Sequence, residues 1–121
     1  MSVTVAIVED NADLRGTLAR VINRASGYQC VGQYGDAESA LAGLPNDKPR
    51  VVLMDINLPG MNGVELIEQV ATRWPKIKFV LASGYLDGTT RQRILATGAS
   101  ILSKPYDLND AAELVMQKLK S

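Results

Sequence analysis

Val51-Val52-Leu53-Met54-Asp55-Ile56-Asn57-Leu58-Pro59-Gly60-Met61-Asn62-Gly63 opens on four apolar residues, meets a carboxylate, and then runs into Asn, Pro and Gly. A short continuous apolar run suits a strand buried on both faces. Residues 57–63 are rich in turn formers. Beyond them Val64, Ile67, Val70, Ala71 and Trp74 recur at helical spacing until Pro75 closes the pattern. The stretch therefore reads as strand, loop, helix, with an acid at the strand's carboxyl end.

The same unit repeats to either side. Upstream, Val3–Val8 (VTVAIV) is an apolar, β-branched run ending in Glu9-Asp10. Asn11 or Asp13 then caps a helix whose stripe is Leu14, Leu18, Val21, Ile22 and Ala25, and Gly27 ends it. Tyr28–Tyr34 reads as a second strand. Asp36 caps a short helix with Ala37, Ala40, Leu41 and Leu44 on one face, and Pro45 is expected to stop it. Downstream, Ile77–Ala82 is a fourth strand ending in Ser83-Gly84, residues 89–97 form a short, weakly amphipathic helix, and Ser100–Leu102 is a fifth strand ending near Lys104-Pro105. A last helix opens at Asp107 and carries Leu108, Ala111, Ala112, Val115 and Leu119. Five strand–helix units imply a parallel sheet with helices on both faces. In such a sheet a site lies outside the carboxyl ends of the strands, at a topological switch point, although periodicity does not choose among strand orders.

Composition narrows the chemistry. The 121 residues suit one domain. Lys plus Arg is 13 and Asp plus Glu is 13, so the whole chain has no general attraction to nucleic acid or an anionic membrane. There is no His, which excludes Ser-His-Asp and Cys-His catalysis, His metal ligands and a phosphohistidine on this chain. The single Cys30 allows no internal disulfide, suits a reducing compartment and reads as a small packed residue. No apolar run reaches the roughly 20 residues of a membrane helix, and the start shows no secretory signal. The expected location is the cytoplasm.

What sits at the strand ends is the chemical content: Glu9 and Asp10 after the first, Asp55 after the third, Ser83 after the fourth, Lys104 after the fifth. If the first and third strands are neighbours, three carboxylates converge, and such a group binds protons or recruits a cation. Hard carboxylate oxygens without His or Cys favour Mg²⁺ over zinc. A Lys and a hydroxyl nearby suit a phosphoryl oxygen. Each residue alone has a plain structural reading, as a helix cap, a turn residue or a solvated charge. Their falling together at one edge of the inferred sheet is what favours a site.

Val8-Glu9-Asp10, the run Leu53–Gly63 (LMDINLPGMNG), Ala82-Ser83-Gly84 and Ser103-Lys104-Pro105-Tyr106 resemble the receiver domain of two-component response regulators, over the whole chain. The resemblance implies an α/β fold, a doubly wound five-stranded parallel sheet of (βα)5 flavodoxin-like type with strand order 2-1-3-4-5. It implies one receiver domain over residues 1–121, with no output domain in this chain. By position, Asp55 resembles the phosphoacceptor. Glu9, Asp10, Asp55 and the backbone carbonyl of Asn57 look like the Mg²⁺ ligands. Ser83 and Lys104 resemble the pair that reads the phosphoryl group, and Lys104-Pro105 the family's cis peptide. The implied donor is a sensor histidine kinase or a histidine phosphotransfer protein. The implied output or dimerisation surface is the face of the fourth helix, fifth strand and fifth helix, roughly Thr89 to Leu119. The resemblance implies a signalling module, not an enzyme, expected to catalyse only its own phosphorylation and dephosphorylation. It is expected to bind neither nucleic acid nor membrane.

One position departs from the family pattern. Ile101 stands three residues before Lys104, where the family often has Tyr or Phe, and neither Tyr85 nor Tyr106 occupies that place. A swinging aromatic therefore cannot be the switch in its usual form. Residues up to about Lys78 look like the transcription-factor type of regulator, whereas the SGY and KPY segments look more like receivers attached to sensor kinases. Two other classes share features. An aspartyl phosphatase of the haloacid-dehalogenase type also uses Asp, Ser/Thr, Lys and Mg²⁺, but needs a second Asp two residues after the nucleophile, where this chain has Asn57. A non-phosphorylated, receiver-shaped interaction module would be favoured by loss of an acid or of Lys104, and all are present.

Overall fold

The computed structural model describes residues 3–55, 63–83, 86–103 and 113. Along the chain run β1 (Val3–Val8), α1 (Ala12–Arg24), β2 (Tyr28–Tyr34), α2 (Ala37–Asp47), β3 (Val51–Asp55), α3 (Gly63–Arg73), β4 (Lys78–Ser83), α4 (Gly88–Ala96) and β5 (Ser100–Ser103). All strand pairs are parallel, in the order β2-β1-β3-β4-β5. The expected doubly wound fold and its strand order are therefore those observed. The body of the fifth helix lies outside the described residues, apart from Glu113, which is helical.

Two faces explain why the central strands read as unbroken apolar runs. Successive side chains of a strand point to opposite sides. Val5, Ile7, Val51, Leu53 and Val80 pack against Leu18, Ala19 and Ile22 of α1. Ala6, Val8, Val52, Met54, Phe79 and Leu81 pack with residues of α2, α3 and α4 on the other side. Neither parity of the central strands meets water, so neither admits polar residues. β2 lies at the sheet margin and is only half-buried. It carries a bulge, because Val5 pairs with Cys30 and Ala6 with Gly32, leaving Val31 as the extra residue.

Local chemistry sets the helix ends. Of the two cap candidates for α1, Asn11 does the capping, its side chain accepting from the Leu14 N–H at 3.0 Å. Asp36 and Asp87 cap α2 and α4, accepting from Ser39 and Thr90 N–H groups, both at 2.7 Å. These bonds hold both carboxyls below the usual carboxylate range. Pro45 does not stop α2, contrary to the sequence expectation: it lies inside the helix, which continues to Asp47. Proline removes only its own donor, the one that would reach the carbonyl four residues back, and the carbonyls of the last turn still accept. The Lys48 N–H reaches the Leu44 carbonyl at 2.9 Å and closes the last turn. Lys48 does so in the left-handed region, at φ 48°. Arg93 on α4 pairs with Glu68 of α3 at 2.6 Å.

Candidate functional site

Strand register brings the carboxyl-edge residues into a row. Val8 pairs with Met54 and Asp55 with Ala82. Glu9, Asp55 and Ser83 therefore stand at the ends of three adjacent strands, β1, β3 and β4. The Glu9 N–H donates to the Tyr34 carbonyl at 2.9 Å, which holds the end of β1 to β2. Glu9 Oε2 accepts from the Asn11 N–H at 3.0 Å. Arg15 reaches back from the first turn of α1 and donates to the Glu9 carbonyl at 2.6 Å. The position of Glu9 is thus set by three independent bonds, whereas Asp10 beside it is exposed.

Glu9 is 5% exposed. Burial pushes its carboxyl up to about 7, against the lowering effect of the Asn11 N–H, and with added upward pressure from the hydrogen-bonded Asp10 side chain and the charges of Asp55 and Asp10. A buried carboxyl in contact with two more acids keeps a proton or attracts a cation. Ser83 is 2% exposed, and its Oγ, buried at the end of β4, has no hydrogen-bond partner among the described residues. A buried hydroxyl without a partner costs roughly 1–3 kcal/mol, so such a group in a native fold calls for an explanation.

The donor chemistry fits a hard divalent cation. Every candidate ligand offers oxygen, and Glu9 feels the charge of Asp10 and Asp55. Among the described residues no three acidic or cysteine side chains form a ready cage. Magnesium does not need one, since it binds through one or two carboxylates, waters and substrate phosphates.

Of the sequence-predicted residues, Glu9, Asp10, Asp55 and Ser83 are brought to one edge. Asn57, Lys104 and Pro105, together with Tyr85 and Tyr106, lie outside the described residues. Ile101 pairs with Leu81 in the sheet and packs, half-buried, against the larger core cluster. Arg15 is the residue that sequence reasoning missed. Its only sequence signal is a long cation one turn into the helix that follows an acidic strand end.

The family model described as the response regulator receiver domain matches residues 5–116. The chain belongs to the response regulator receiver family. It is 31% identical over 112 residues to the DNA-binding transcriptional regulator NtrC of Salmonella typhimurium, a match covering 92% of this chain and 24% of that protein. It is 31% identical over 114 residues to the transcriptional regulatory protein DegU of Brevibacillus brevis, covering 93% of this chain and 48% of that one. This receiver thus spans between a quarter and a half of the length of these two relatives. Among solved structures, a CheY-like response regulator receiver domain protein from Methanospirillum hungatei JF-1 superposes with a TM-score of 0.87 at 26% identity, over 99% of this chain and 95% of that one. The chain is a receiver domain of the two-component type, with a signalling role, and the haloacid-dehalogenase reading is set aside by that membership. Among the described residues no helix is long and apolar enough to cross a membrane.

Proposed function

We propose that this receiver takes a phosphoryl group onto Asp55 from a phosphohistidine on a partner, and signals by the change of conformation that follows. The observation that carries this reading is the meeting of Glu9 with Asp10 and Asp55 at the carboxyl edge of the sheet. An oxygen of the Asp55 carboxylate attacks phosphorus in line. The P–O bond to Asp55 forms as the P–N bond to the partner's histidine breaks, and the histidine leaves with the electron pair. Glu9, Asp10, Asp55 and the Asn57 carbonyl would hold Mg²⁺, which when bound supplies neutralisation of the carboxylate and phosphoryl charge. Arg15 and Asn11 keep Glu9 in place by their bonds to its carbonyl and carboxylate.

Ser83 Oγ, buried and unpartnered among the described residues, is suited to donate to a phosphoryl oxygen, and Lys104 to pair with another. With Ile101 in place of an aromatic, the coupling rests mainly on these two residues, and Ile101 answers by a packing shift. Movement is expected where few groups are buried. Helix α4 contributes Ile94 as its buried residue, which favours an output face built on α4, β5 and the residues after Lys104. The partners in this reading are a sensor histidine kinase or a histidine phosphotransfer protein, in the cytoplasm. Turnover is limited to the domain's own phosphorylation and dephosphorylation.

Intact mass after incubation with acetyl phosphate and Mg²⁺ tests the reading. One added phosphoryl group, absent from Asp55→Asn, is expected. A wild-type chain that gains none, or an Asp55→Asn variant that gains as much as wild type, would overturn it.

A further inference from the structure

The amino edge of the sheet, opposite the acidic row, holds a groove that the phosphoryl chemistry does not use. It lies where α2 turns into β3 and α3 turns into β4, with a volume of about 470 Å³. Leu44, Ile77 and the Trp74 ring form its apolar floor. Leu44 is fully buried, and Trp74 and Ile77 pack on the larger core cluster. Pro45, Pro49 and Pro75 stiffen the wall, so the concavity is preformed and does not have to be ordered on binding.

The rim is cationic. Lys48, Arg50, Arg73 and Lys76 surround the floor, and among the described residues no acid lines it. Among the described residues none of the four makes a salt bridge, while Arg73 stacks over Trp74 at 6.0 Å from the ring centroid. Asp47 lies against Gly32 of β2, and Glu68 is held by Arg93 in a neighbouring shallow groove that Glu65 also borders and that Arg73 lines from its other side. Lys48, Arg50 and Lys76, gathered around an apolar hollow with Arg73 at the border of the neighbouring acidic groove, repel one another, and an anionic occupant relieves that repulsion.

From this geometry we infer that the groove docks an acidic segment of a partner protein that inserts one apolar anchor side chain over Trp74. The charge selects an anion, and the apolar floor selects an anchor. The groove is only partly enclosed, so a segment of a longer chain can lie along it. Its volume alone does not distinguish that segment from a small ligand, and the binding of phenyl phosphate does. A hollow with a Trp on its floor, an Arg stacked over that ring and a charged rim is the arrangement of a protein docking site. Lys48 fits this role: it stands in a left-handed backbone position that glycine occupies at lower cost, and places a cation on the rim. The inference makes no use of Asp55.

Trp74 is the only Trp of the chain and reports directly. The full chain is titrated at low salt with the blocked peptide EEDFDEE, followed by Trp74 emission and by amide shifts of residues 44–50 and 73–77. A saturable change with Kd of about 1 mM or tighter is expected, lost on raising salt to about 0.5 M. Replacing Phe in the peptide by Ser should weaken it at least about fivefold. Lys48→Glu combined with Lys76→Glu, both at exposed positions, should weaken it at least about tenfold with the thermal transition retained, and Asp55→Asn should bind as wild type does. The inference is overturned by the absence of any saturable change, by equal binding of a peptide with Lys in place of its acids, or by indifference to the double variant. It is equally overturned if phenyl phosphate alone binds as tightly as the peptide, because the occupant would then be a small anion.

Discussion

Among the described residues an acidic cluster stands at one edge of the sheet and a cationic one at the other, although the chain is neutral. At the carboxyl edge Asp10 and Asp55 stand close enough to Glu9 to push its carboxyl up. At the amino edge Lys48, Arg50, Arg73 and Lys76 ring an apolar hollow. Thirteen cations and thirteen anions cancel in the sum, and the sum hides a separation along the strand axis. Net charge speaks to bulk behaviour such as solubility and non-specific attraction. It does not report a local field, which depends on where the fold places each side chain. The parallel sheet makes the separation possible, because all carboxyl ends of its strands emerge on one side.

The sharpest way to break this comparison is a crossed pair of variants. Asp55→Asn should abolish phosphoryl gain in intact mass, and Lys76→Glu should leave it at the wild-type yield. Loss in both variants would mean that the edges are not independent.

The next effect is on stability and belongs to Glu9. Its carboxyl titrates at about 7 in the folded chain against 4.5 as an ordinary glutamate. Between those values the unfolded chain binds fewer protons than the folded one, so stability falls as pH rises through this window. The contribution is complete below the unfolded value and gone above about pH 7. Its size is at most about 3 kcal/mol, less whatever screening water supplies at the edge. Glu9→Gln should flatten the fall between pH 5.5 and 8 in denaturation with chelator present. An unchanged slope would show that the acidic edge carries no strain.

Ser83→Ala gives a smaller effect with an informative sign. Removing a buried hydroxyl that has no partner among the described residues should leave the unmodified domain as stable or raise it by about 1 kcal/mol. The same change should reduce the amide shifts in α4 that beryllofluoride and Mg²⁺ induce. A loss of stability of similar size would assign Ser83 to packing. Smallest is Lys48→Gly at the opposite edge. Relief of the left-handed backbone should stabilise the chain by about 0.5–1 kcal/mol in urea, the freer unfolded chain taking back part of the gain. A net destabilisation would show that the Lys48 side chain contributes to the fold itself.

Much of the fold was legible because β1, β3 and β4 are buried on both sides. Val5 through Val8, Val51 through Met54 and Phe79 through Ala82 are nearly inaccessible, and that demand leaves an uninterrupted apolar run in the sequence. The acidic edge was legible for a related reason: a chemical residue placed where such a run stops falls at the sheet edge by construction. The reach of α2 past Pro45 was not legible, because a proline near a helix end forfeits one bond and the following turn closes without it. Arg15 escaped because its partner is a backbone carbonyl, which leaves no mark on side-chain pattern. The cationic groove escaped because its rim comes from positions 48, 50, 73 and 76, on two separate connections that look like ordinary solvated loops.

By itself, then, the sequence determined the alternation of strands and helices, the family and the identity of the acids at the strand ends, since burial and turn chemistry act locally along the chain. Tertiary structure decided that β1 lies between β2 and β3, so that Glu9 meets Asp55. It also decided that the α2–β3 and α3–β4 connections share one hollow, with Trp74 at its floor. Both results depend on which elements become neighbours, and that is settled by packing two helical layers on one sheet.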